Sequence, residues 1–290
     1  MADMSAEEAM EKYGPSEIAV DDLLTVPDPA FSTDNVAIVT GAGNGIGRAT
    51  ALGLAANGLT VVGTDIDEEG LEEVADTTEA LGLDGRFLAT PGNLTDDEAM
   101  RSVVDAAAEE GSIRYLVNVA GIQHIASIAE FPMEKYDQMH GIMLRAPLLL
   151  TKLCWPHFEA AGGGVVCNMA SVHGHYVTRD KVVYNSMKFG LRGLTQSTAA
   201  EGDGSIRAFS VSPAYVKTEL VAKQLPDTAD ARGITVDEAV TEVLLEQART
   251  KEMMEPYEVA NVCTFGLSKH GHYINAGDLL LDGGYTLTYE

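Results

Sequence analysis

The chain has 290 residues, 46% of them hydrophobic and 22% charged, which is the composition of a globular protein. Its 44 acidic residues outnumber 19 basic ones, and a net charge of −25 repels nucleic-acid phosphate. No apolar run reaches the roughly 18 residues that a membrane-spanning helix needs. The acidic N-terminus does not resemble a secretory signal, so we expect a cytoplasmic protein without nucleic-acid or membrane partners.

The acidity has two explanations that stay open at this stage. It is either an ordinary acidic surface or an adaptation to high salt, in which carboxylates stay hydrated and their mutual repulsion is screened. Cys154, Cys167 and Cys263 are isolated in sequence, so they predict neither a disulfide framework nor a metal site.

Residues 1–33 carry three prolines and no clear period, and we interpret them as an N-terminal extension with a short helix over 6–12. From 34 to 290, short apolar runs alternate with segments of helical period. The runs predict strands at 35–40, 59–64, 86–90, 115–119, 165–169, 206–212 and 278–281. The periodic segments predict helices at 48–57, 68–81, 96–110, 133–161, 184–201 and 256–267. This alternation predicts one α/β domain of Rossmann type, a doubly wound, seven-stranded parallel sheet with helices on both faces.

Residues 219–255 follow that alternation less closely. Helical patterns at 219–224 and 236–251 precede the last helix and strand. An insertion at the carboxyl end of a strand lies over the crevice where doubly wound sheets bind ligands. We therefore predict a small helical lid, with a rigid packed pair of helices as the alternative.

A glycine-rich turn, residues 40–47, follows the first predicted strand and opens a helix. Glycines permit a tight turn and let the backbone approach a diphosphate, which the helix N-terminus stabilises. Asp65 ends the second predicted strand, eighteen residues after Gly47. Its carboxylate can accept hydrogen bonds from ribose hydroxyls and repel a 2′-phosphate, which predicts NAD rather than NADP. A solvated loop acid is the alternative interpretation of Asp65.

Tyr184 and Lys188 are four residues apart, so they share one face of a predicted helix. A nearby ammonium lowers the pKa of a phenol towards working pH. Ser171 lies thirteen residues before Tyr184, just after a predicted strand. Hydride transfer needs a general acid/base, a positive helper and a donor to the developing alkoxide. The sequence therefore predicts Ser171, Tyr184 and Lys188 as catalytic residues.

In combination, these motifs resemble the short-chain dehydrogenase/reductase family over residues 35–288. The resemblance rests on residues 40–47, 118–121, Ser171, 184–188, 212–213 and 282–284. It implies Tyr184 as acid/base, Ser171 as its partner, Lys188 on the nicotinamide ribose, and a homotetramer formed through the helices at 133–161 and 184–201. The cofactor contacts that we predict on this basis are Gly41, Asn44, Gly45, Ile46, Gly47, Asp65, Asn93, Leu94, Asn118, Ala120, Gly121, Tyr184, Lys188, Pro213, Val216 and Thr218.

The chain departs from the family pattern at a catalytic position. Met143 stands where the family's fourth catalytic residue, an Asn, normally anchors a proton-relaying water. A thioether cannot donate a hydrogen bond. Either another polar group replaces the relay, His140 being the nearest in sequence, or turnover is impaired. An alignment shifted by one turn, with Met143 merely packing, is the remaining alternative. Smaller departures are Asn93, Arg114 and Val119.

Within the family, residues 121–124, 130–135 and 216–224 resemble the 3-hydroxybutyrate dehydrogenases. This resemblance implies that the substrate is held by Ser171 and Tyr184 and that its carboxylate is held by Gln123, His173, Lys181 and Gln224. Ala214 and Tyr215 depart from the pattern beside the substrate. We expect NAD-dependent conversion of (R)-3-hydroxybutyrate to acetoacetate. The alternatives are another short-chain ketone or acyl reductase, or a non-catalytic NAD-binding protein because of Met143.

Overall fold

Seven parallel strands form one sheet in the structure, a computed structural model that describes residues 3–287. The strands are β1 (Asn35–Thr40), β2 (Thr60–Thr64), β3 (Arg86–Ala89), β4 (Ser112–Asn118), β5 (Gly164–Met169), β6 (Ile206–Pro213) and β7 (Asp278–Leu281). Their order across the sheet is β3-β2-β1-β4-β5-β6-β7. The predicted seven-stranded parallel sheet is confirmed. Residues 1–2 and 288–290, which the predicted extension and domain include, lie outside the described residues.

Helices cover both faces of this sheet, as the alternating pattern predicts. The α-helices of the described residues are α1 (Ala6–Tyr13), α2 (Gly45–Ala56), α3 (Glu68–Ala80), α4 (Asp97–Glu110), α5 (Met133–His140), α6 (Ala146–Ala160), α7 (Val182–Glu201), α8 (Glu219–Arg232), α9 (Val236–Glu238) and α10 (Pro256–Leu267), of which α1, α8 and α9 pack with one another away from the sheet. A π-helical stretch (Gly141–Arg145) joins α5 to α6, so the long helix predicted over 133–161 is continuous. Among the described residues, no helix is long and apolar enough to cross a membrane.

The strand side chains alternate between two hydrophobic layers because successive residues of a strand point to opposite faces. On β1, Ala37 and Val39 pack in the layer that contains α2, α3 and α10. Val36 and Ile38 pack on the other face in the layer that contains α4 and α6. These four side chains are fully buried, which is why the strand reads as a continuous apolar run.

The strand order changes direction between β1 and β4, which makes this point of the sheet the crevice where such folds bind ligands. The loop after β4 is held against the end of β1 by one side chain. Thr40 Oγ1 accepts hydrogen bonds from the backbone N–H groups of Val119, at 3.0 Å, and Ala120, at 3.2 Å. The glycine-rich turn and the segment 118–121 therefore face each other across the crevice.

The inserted segment 219–255 is helical only in its first part. Helix α8 is longer than predicted and ends at Arg232. The helix predicted over 236–251 is wrong in its extent, because α9 continues as a π-helical stretch (Ala239–Leu244) and ends there. Beyond it, the N–H groups of Arg249 and Thr250 donate to the carbonyl of Gly283 instead of to a preceding turn of helix.

The N-terminal extension folds onto this insertion, and its predicted short helix is confirmed as α1. Ala9 is fully buried in a hydrophobic cluster with Leu225, Ala229 and Val236. At the end of α1, Asp237 accepts hydrogen bonds from Lys12 Nζ, at 2.7 Å, and from the Tyr13 hydroxyl, at 2.5 Å. The ion pair is half-exposed and contributes little by itself, so the apolar contact carries most of the docking energy.

We predict that Ala9→Asp detaches α1 from α8, because a carboxylate placed in this apolar contact costs about 2 kcal/mol or more to bury. The expected result is rapid cleavage near the N-terminus by a trace of protease while the Rossmann core stays intact. Ala6→Asp is the matched control, since Ala6 is exposed in the first turn of the same helix. Equal cleavage rates for the two variants would contradict the docking described here.

Candidate active site

The glycine-rich turn forms a backbone cradle at the carboxyl end of β1. Gly41 has a positive φ of 67°, and a Cβ there would lie 2.9 Å from Ala120 Cα. A Cβ on Gly47 would lie 1.9 Å from the Gly41 carbonyl oxygen. Both positions therefore require glycine. Because α2 begins at Gly45, its free N–H groups open onto the crevice, and this arrangement suits a dinucleotide diphosphate.

The predicted contacts to adenosine lie at the carboxyl ends of β2, β3 and β4. Asp65 follows β2 and accepts hydrogen bonds from the N–H groups of Gly43 and Asp67, each at 3.1 Å. Asn93 is exposed and caps the next turn, while Leu94 is buried. Asn118 is buried, and its Nδ2 donates to Asn168, at 2.8 Å, while its Oδ1 has no hydrogen-bond partner among the described residues.

The three predicted catalytic residues meet where β5 ends and α7 begins. Lys188 is 4% exposed, and its Nζ donates to the Met169 carbonyl at 2.6 Å. The same Nζ lies 5.5 Å from the centroid of the Tyr184 ring. Ser171 lies two residues after the end of β5, it lines the same pocket as Tyr184, and its hydroxyl lowers the pKa of the Tyr184 phenol. The structure therefore brings the predicted trio together.

The electrostatics of the trio differ from the sequence expectation in one respect. Burial raises the pKa of Tyr184, and the group that counteracts this rise is the Ser171 hydroxyl rather than Lys188. Burial also lowers the pKa of Lys188 to about 8. Tyr184 is therefore protonated near neutral pH in the free protein, which suits donation of a proton to a carbonyl oxygen.

A pocket of about 340 Å³ opens beside this trio. The predicted residues Gln123, His173, Lys181 and Gln224 all line it, as do Ile46, Gly121, Pro213, Val216 and Thr218. Its cationic residues are Lys181, Lys188 and Arg232, and no carboxylate of the described residues lines it. In a chain of charge −25, the pocket is thus locally positive. The described residues form no cluster of three or more His, Cys, Asp or Glu side chains that could hold a metal ion.

His173 lies at the inner wall of the pocket and is only 4% exposed. Its Nδ1 is 3.4 Å from Ser171 Oγ, and its Nε2 is 3.1 Å from Thr178 Oγ1. Burial, together with the positive charges of Lys181 and Lys188, lowers the pKa of His173 to about 3. The ring is therefore neutral, and both of its nitrogens have protein partners. This geometry orients the Ser171 hydroxyl.

Sequence reasoning missed two polar residues of α8 that line the pocket, Thr228 and Arg232. They follow Gln224 at intervals of four residues, which places all three on one face of the helix. Had the helix been predicted to run beyond residue 224, this spacing would have pointed to them.

Met143 occupies the π-helical stretch and is 1% exposed. It packs with Met139, Val183 and Met187 against α7, and its Sδ would lie 3.4 Å from a Cβ on Gly121. The side chain therefore sits beside the predicted cofactor segment and provides apolar packing there. His140, the nearest polar candidate in sequence, stacks on the ring of Tyr136 with centroids 5.9 Å apart.

Comparisons with known proteins place this arrangement in a large group of enzymes. The sequence profile of a family described as enoyl-(acyl carrier protein) reductase matches residues 41–286. The uncharacterised oxidoreductase YxjF of Bacillus subtilis (strain 168) is 34% identical over 253 residues, covering 87% of this chain and 98% of that protein. D-beta-hydroxybutyrate dehydrogenase of Rhizobium meliloti (strain 1021) is 32% identical over 254 residues, covering 86% and 98%.

A solved structure gives the same result at the level of the fold. L-sorbose reductase from Gluconobacter frateurii, complexed with NADPH and L-sorbose, superposes with a TM-score of 0.83 at 26% identity, covering 89% of this chain and 98% of that one. The glycines of the cradle and the Ser–Tyr–Lys trio lie within residues 41–286, which the family profile matches. The chain belongs to the short-chain dehydrogenase/reductase family, and it is an oxidoreductase that uses a nicotinamide cofactor.

Proposed function

We propose that the protein transfers a hydride between NAD and a short hydroxy acid, with (R)-3-hydroxybutyrate and acetoacetate as the substrate pair. The observation that carries the proposal is the charge of the pocket, where Lys181, Lys188 and Arg232 face a cavity free of carboxylates in the described residues. A neutral substrate needs no such concentration of cations in a protein of charge −25. The name of the Rhizobium meliloti relative agrees with this substrate class.

The chain's own residues provide the proton chemistry. A bound nicotinamide would supply the hydride acceptor for the alcohol and the hydride donor for the ketone. Tyr184 takes the hydroxyl proton in the oxidation and donates it in the reduction, while the Ser171 hydroxyl holds the substrate oxygen. The Ser171 hydroxyl lowers the pKa of Tyr184 and so favours the phenolate form that the oxidation needs, while Lys188 would contact the nicotinamide ribose. His173 keeps the Ser171 hydroxyl oriented through its Nδ1.

We propose that three side chains from different elements hold the carboxylate of the substrate. Gln123 follows β4, Lys181 precedes α7 and Gln224 lies on α8, and all three line the pocket. A parallel bridge between Ala126 and Lys181 ties the first two segments together. Such amide and ammonium donors suit the two oxygens of a carboxylate. Contact between His173 and the carboxylate stays a prediction. Both ring nitrogens of His173 have protein partners, so we leave it out of this set of three.

The proposed preference for NAD rests on Asp65. Its carboxylate is fixed at the end of β2 by the N–H groups of Gly43 and Asp67, beside the glycine cradle. A 2′-phosphate on the adenosine ribose would be repelled by this fixed charge. In this proposal, residues 34–290 form the catalytic domain and the segment 219–255 is its lid.

A ketone or polyol substrate is the second candidate. L-Sorbose, named for the structural relative, is an uncharged sugar, and Ala214 and Tyr215 line the pocket here. An uncharged substrate would leave the carboxylate contacts without a role. The Lys181→Met variant therefore separates the two candidates.

We also propose a homotetramer formed through the outer faces of the helical segments 133–160 and 182–201. The apolar side chains of Met133, Leu148 and Phe189, on α5, α6 and α7, are 65%, 54% and 43% exposed. Exposed apolar side chains on adjacent helices are typical of subunit interfaces.

Tyr184→Phe removes the acid/base hydroxyl and keeps the ring. We expect kcat for NADH formation from (R)-3-hydroxybutyrate to fall by about 10²–10⁴-fold, the usual contribution of general acid–base catalysis. NADH affinity, measured by fluorescence titration, should change far less. Tyr136→Phe is the control, because Tyr136 lies on α5 outside the pocket. If Tyr184→Phe were as active as Tyr136→Phe, another residue would be the base. If neither the variants nor the wild type formed NADH, the result would favour the non-catalytic alternative that Met143 raises.

Lys181→Met tests the carboxylate site. We expect KM for (R)-3-hydroxybutyrate to rise by about tenfold or more, because a charge-assisted contact is lost, while KM for NAD stays unchanged. Lys223→Met is the matched control, since Lys223 is exposed on α8 and pairs with Glu219 at 2.7 Å. If the protein acts on an uncharged substrate instead, the KM for that substrate should be the same in Lys181→Met, Lys223→Met and the wild type.

Asp65→Ala tests the choice of cofactor. Removing the carboxylate removes its hydrogen bonds to the ribose and its repulsion of a 2′-phosphate, so the ratio of kcat/KM for NAD to that for NADP should fall by about tenfold or more. Asp84→Ala removes the same charge from an exposed loop before β3 and should leave the ratio unchanged. If the ratio is unchanged in Asp65→Ala, Asp65 only holds the backbone of Gly43 and Asp67 and does not select the cofactor.

A further inference from the structure

The carboxylate of Glu255 joins the N-terminal extension to the segment 216–218, which contains two of the predicted cofactor contacts. The side chain is about 10% exposed. Its Oε1 accepts hydrogen bonds from Lys217 Nζ, at 2.6 Å, and from the Ser16 hydroxyl, at 3.0 Å. Its Oε2 accepts one from the Ser16 backbone N–H, at 3.1 Å. Burial by itself raises the pKa of Glu255, but the hydrogen bonds from Lys217 and Ser16 outweigh burial and hold the pKa below its usual value.

Lys217 stands between Val216 and Thr218, two of the residues predicted to contact the cofactor. The backbone of this segment is fixed by the residue before Glu255. The Lys217 N–H donates to the Met254 carbonyl at 2.8 Å, and the Met254 N–H donates to the Tyr215 carbonyl at 3.0 Å. The ion pair between Lys217 and Glu255 therefore adds a side-chain brace to a short backbone ladder.

The same segment touches the glycine cradle and the start of α8. Thr218 Oγ1 accepts a hydrogen bond from the Val221 N–H at 3.3 Å and so caps α8. Its Cγ2 would lie 3.3 Å from a Cβ on Gly45. A shift of residues 216–218 would consequently disturb both the cradle and the first turn of α8.

The N-terminal segment 15–18 lies against the opposite side of the cradle. Together with Gly43, Asn44 and Gly45 it lines a cavity of about 290 Å³. The segment is held in place at both ends. Helix α1 is docked on α8 before it, and after it the Leu24 N–H donates to Asn261 of α10 at 2.8 Å.

We infer that Ser16 and Glu255 are positioning residues for the cofactor, acting through Lys217 on the segment 216–218. The inference rests on the proposed function, in which a nicotinamide cofactor binds in the crevice. It gives the N-terminal extension a role in cofactor binding that its sequence does not reveal. Ser16 and Glu255 hold the segment in the conformation that receives the nicotinamide ring, so their loss should weaken cofactor binding more than it lowers stability.

The test is a fluorescence titration of the full chain with NADH, which needs no knowledge of the substrate. We expect the Kd for NADH to rise by about threefold in Ser16→Ala and by about tenfold in Glu255→Gln, because hydrogen bonds between charged partners contribute more than neutral ones. Ser16→Thr keeps the hydroxyl and should bind NADH like the wild type. Ser32→Ala is the matched control, since Ser32 belongs to the same extension and, within residues 3–287, its hydroxyl has no hydrogen-bond partner while its backbone carbonyl accepts from the Asn35 N–H.

Thermal unfolding of each variant distinguishes positioning from plain stabilisation. A rise in Kd at unchanged Tm in Ser16→Ala, absent from Ser16→Thr and Ser32→Ala, supports the inference. If the wild type binds NADH and the Kd changes by less than about twofold in Ser16→Ala, the inference alone is overturned. This conclusion holds even if Glu255→Gln does not fold. Failure of the wild type to bind NADH overturns the proposed function and, with it, the inference.

Discussion

The hydrogen bond from Lys188 to the Met169 carbonyl is the interaction on which the site depends. It joins the second turn of α7 to the last residue of β5 at 2.6 Å, inside a region from which water is nearly excluded. An ammonium buried in this way must be paired. Because Tyr184 lies one turn earlier on α7 and Ser171 two residues after Met169, this contact holds Tyr184 and Ser171 close to each other.

Charge is organised on two scales in this molecule. The surface carries the excess of acidic residues, whereas the pocket wall of the described residues contains cations and no carboxylate. A small anion approaching such a protein meets long-range repulsion, which ions screen over about 8–10 Å at ordinary salt concentrations, and short-range attraction inside the pocket. The long-range repulsion acts on all anions alike, so the selection of a particular acid depends on direct contacts inside the pocket.

Periodicity and spacing predicted most of the fold. Every strand and the helices of the sheet layers follow the pattern, because each buries one stripe or both faces of apolar residues, as at Val36–Val39. The proximity of Tyr184 and Lys188 could also be predicted, since residues four apart on a helix share one face. The end of the second helix in the insertion could not, because Arg249 and Thr250 satisfy their N–H groups on Gly283, which is distant in sequence.

The role of the N-terminal extension was equally hidden from the sequence. Its partners, Asp237, Glu255 and Asn261, lie more than two hundred residues away, and no local pattern encodes such pairings. The partners of His173 could not be predicted either, because an imidazole beside a pocket can face the substrate or the protein. In the structure it faces Ser171 and Thr178, and its low pKa follows from that enclosure.

The most direct test of the acid-binding pocket compares two substrates of the wild-type protein with NAD, (R)-3-hydroxybutyrate and 2-butanol, which has the same reacting alcohol but no carboxylate. We expect kcat/KM to be higher for the acid by about tenfold or more, since the cationic pocket would stabilise the carboxylate through charge-assisted hydrogen bonds. Equal values, or a preference for the uncharged alcohol, would contradict the claim that the pocket is built for an acid.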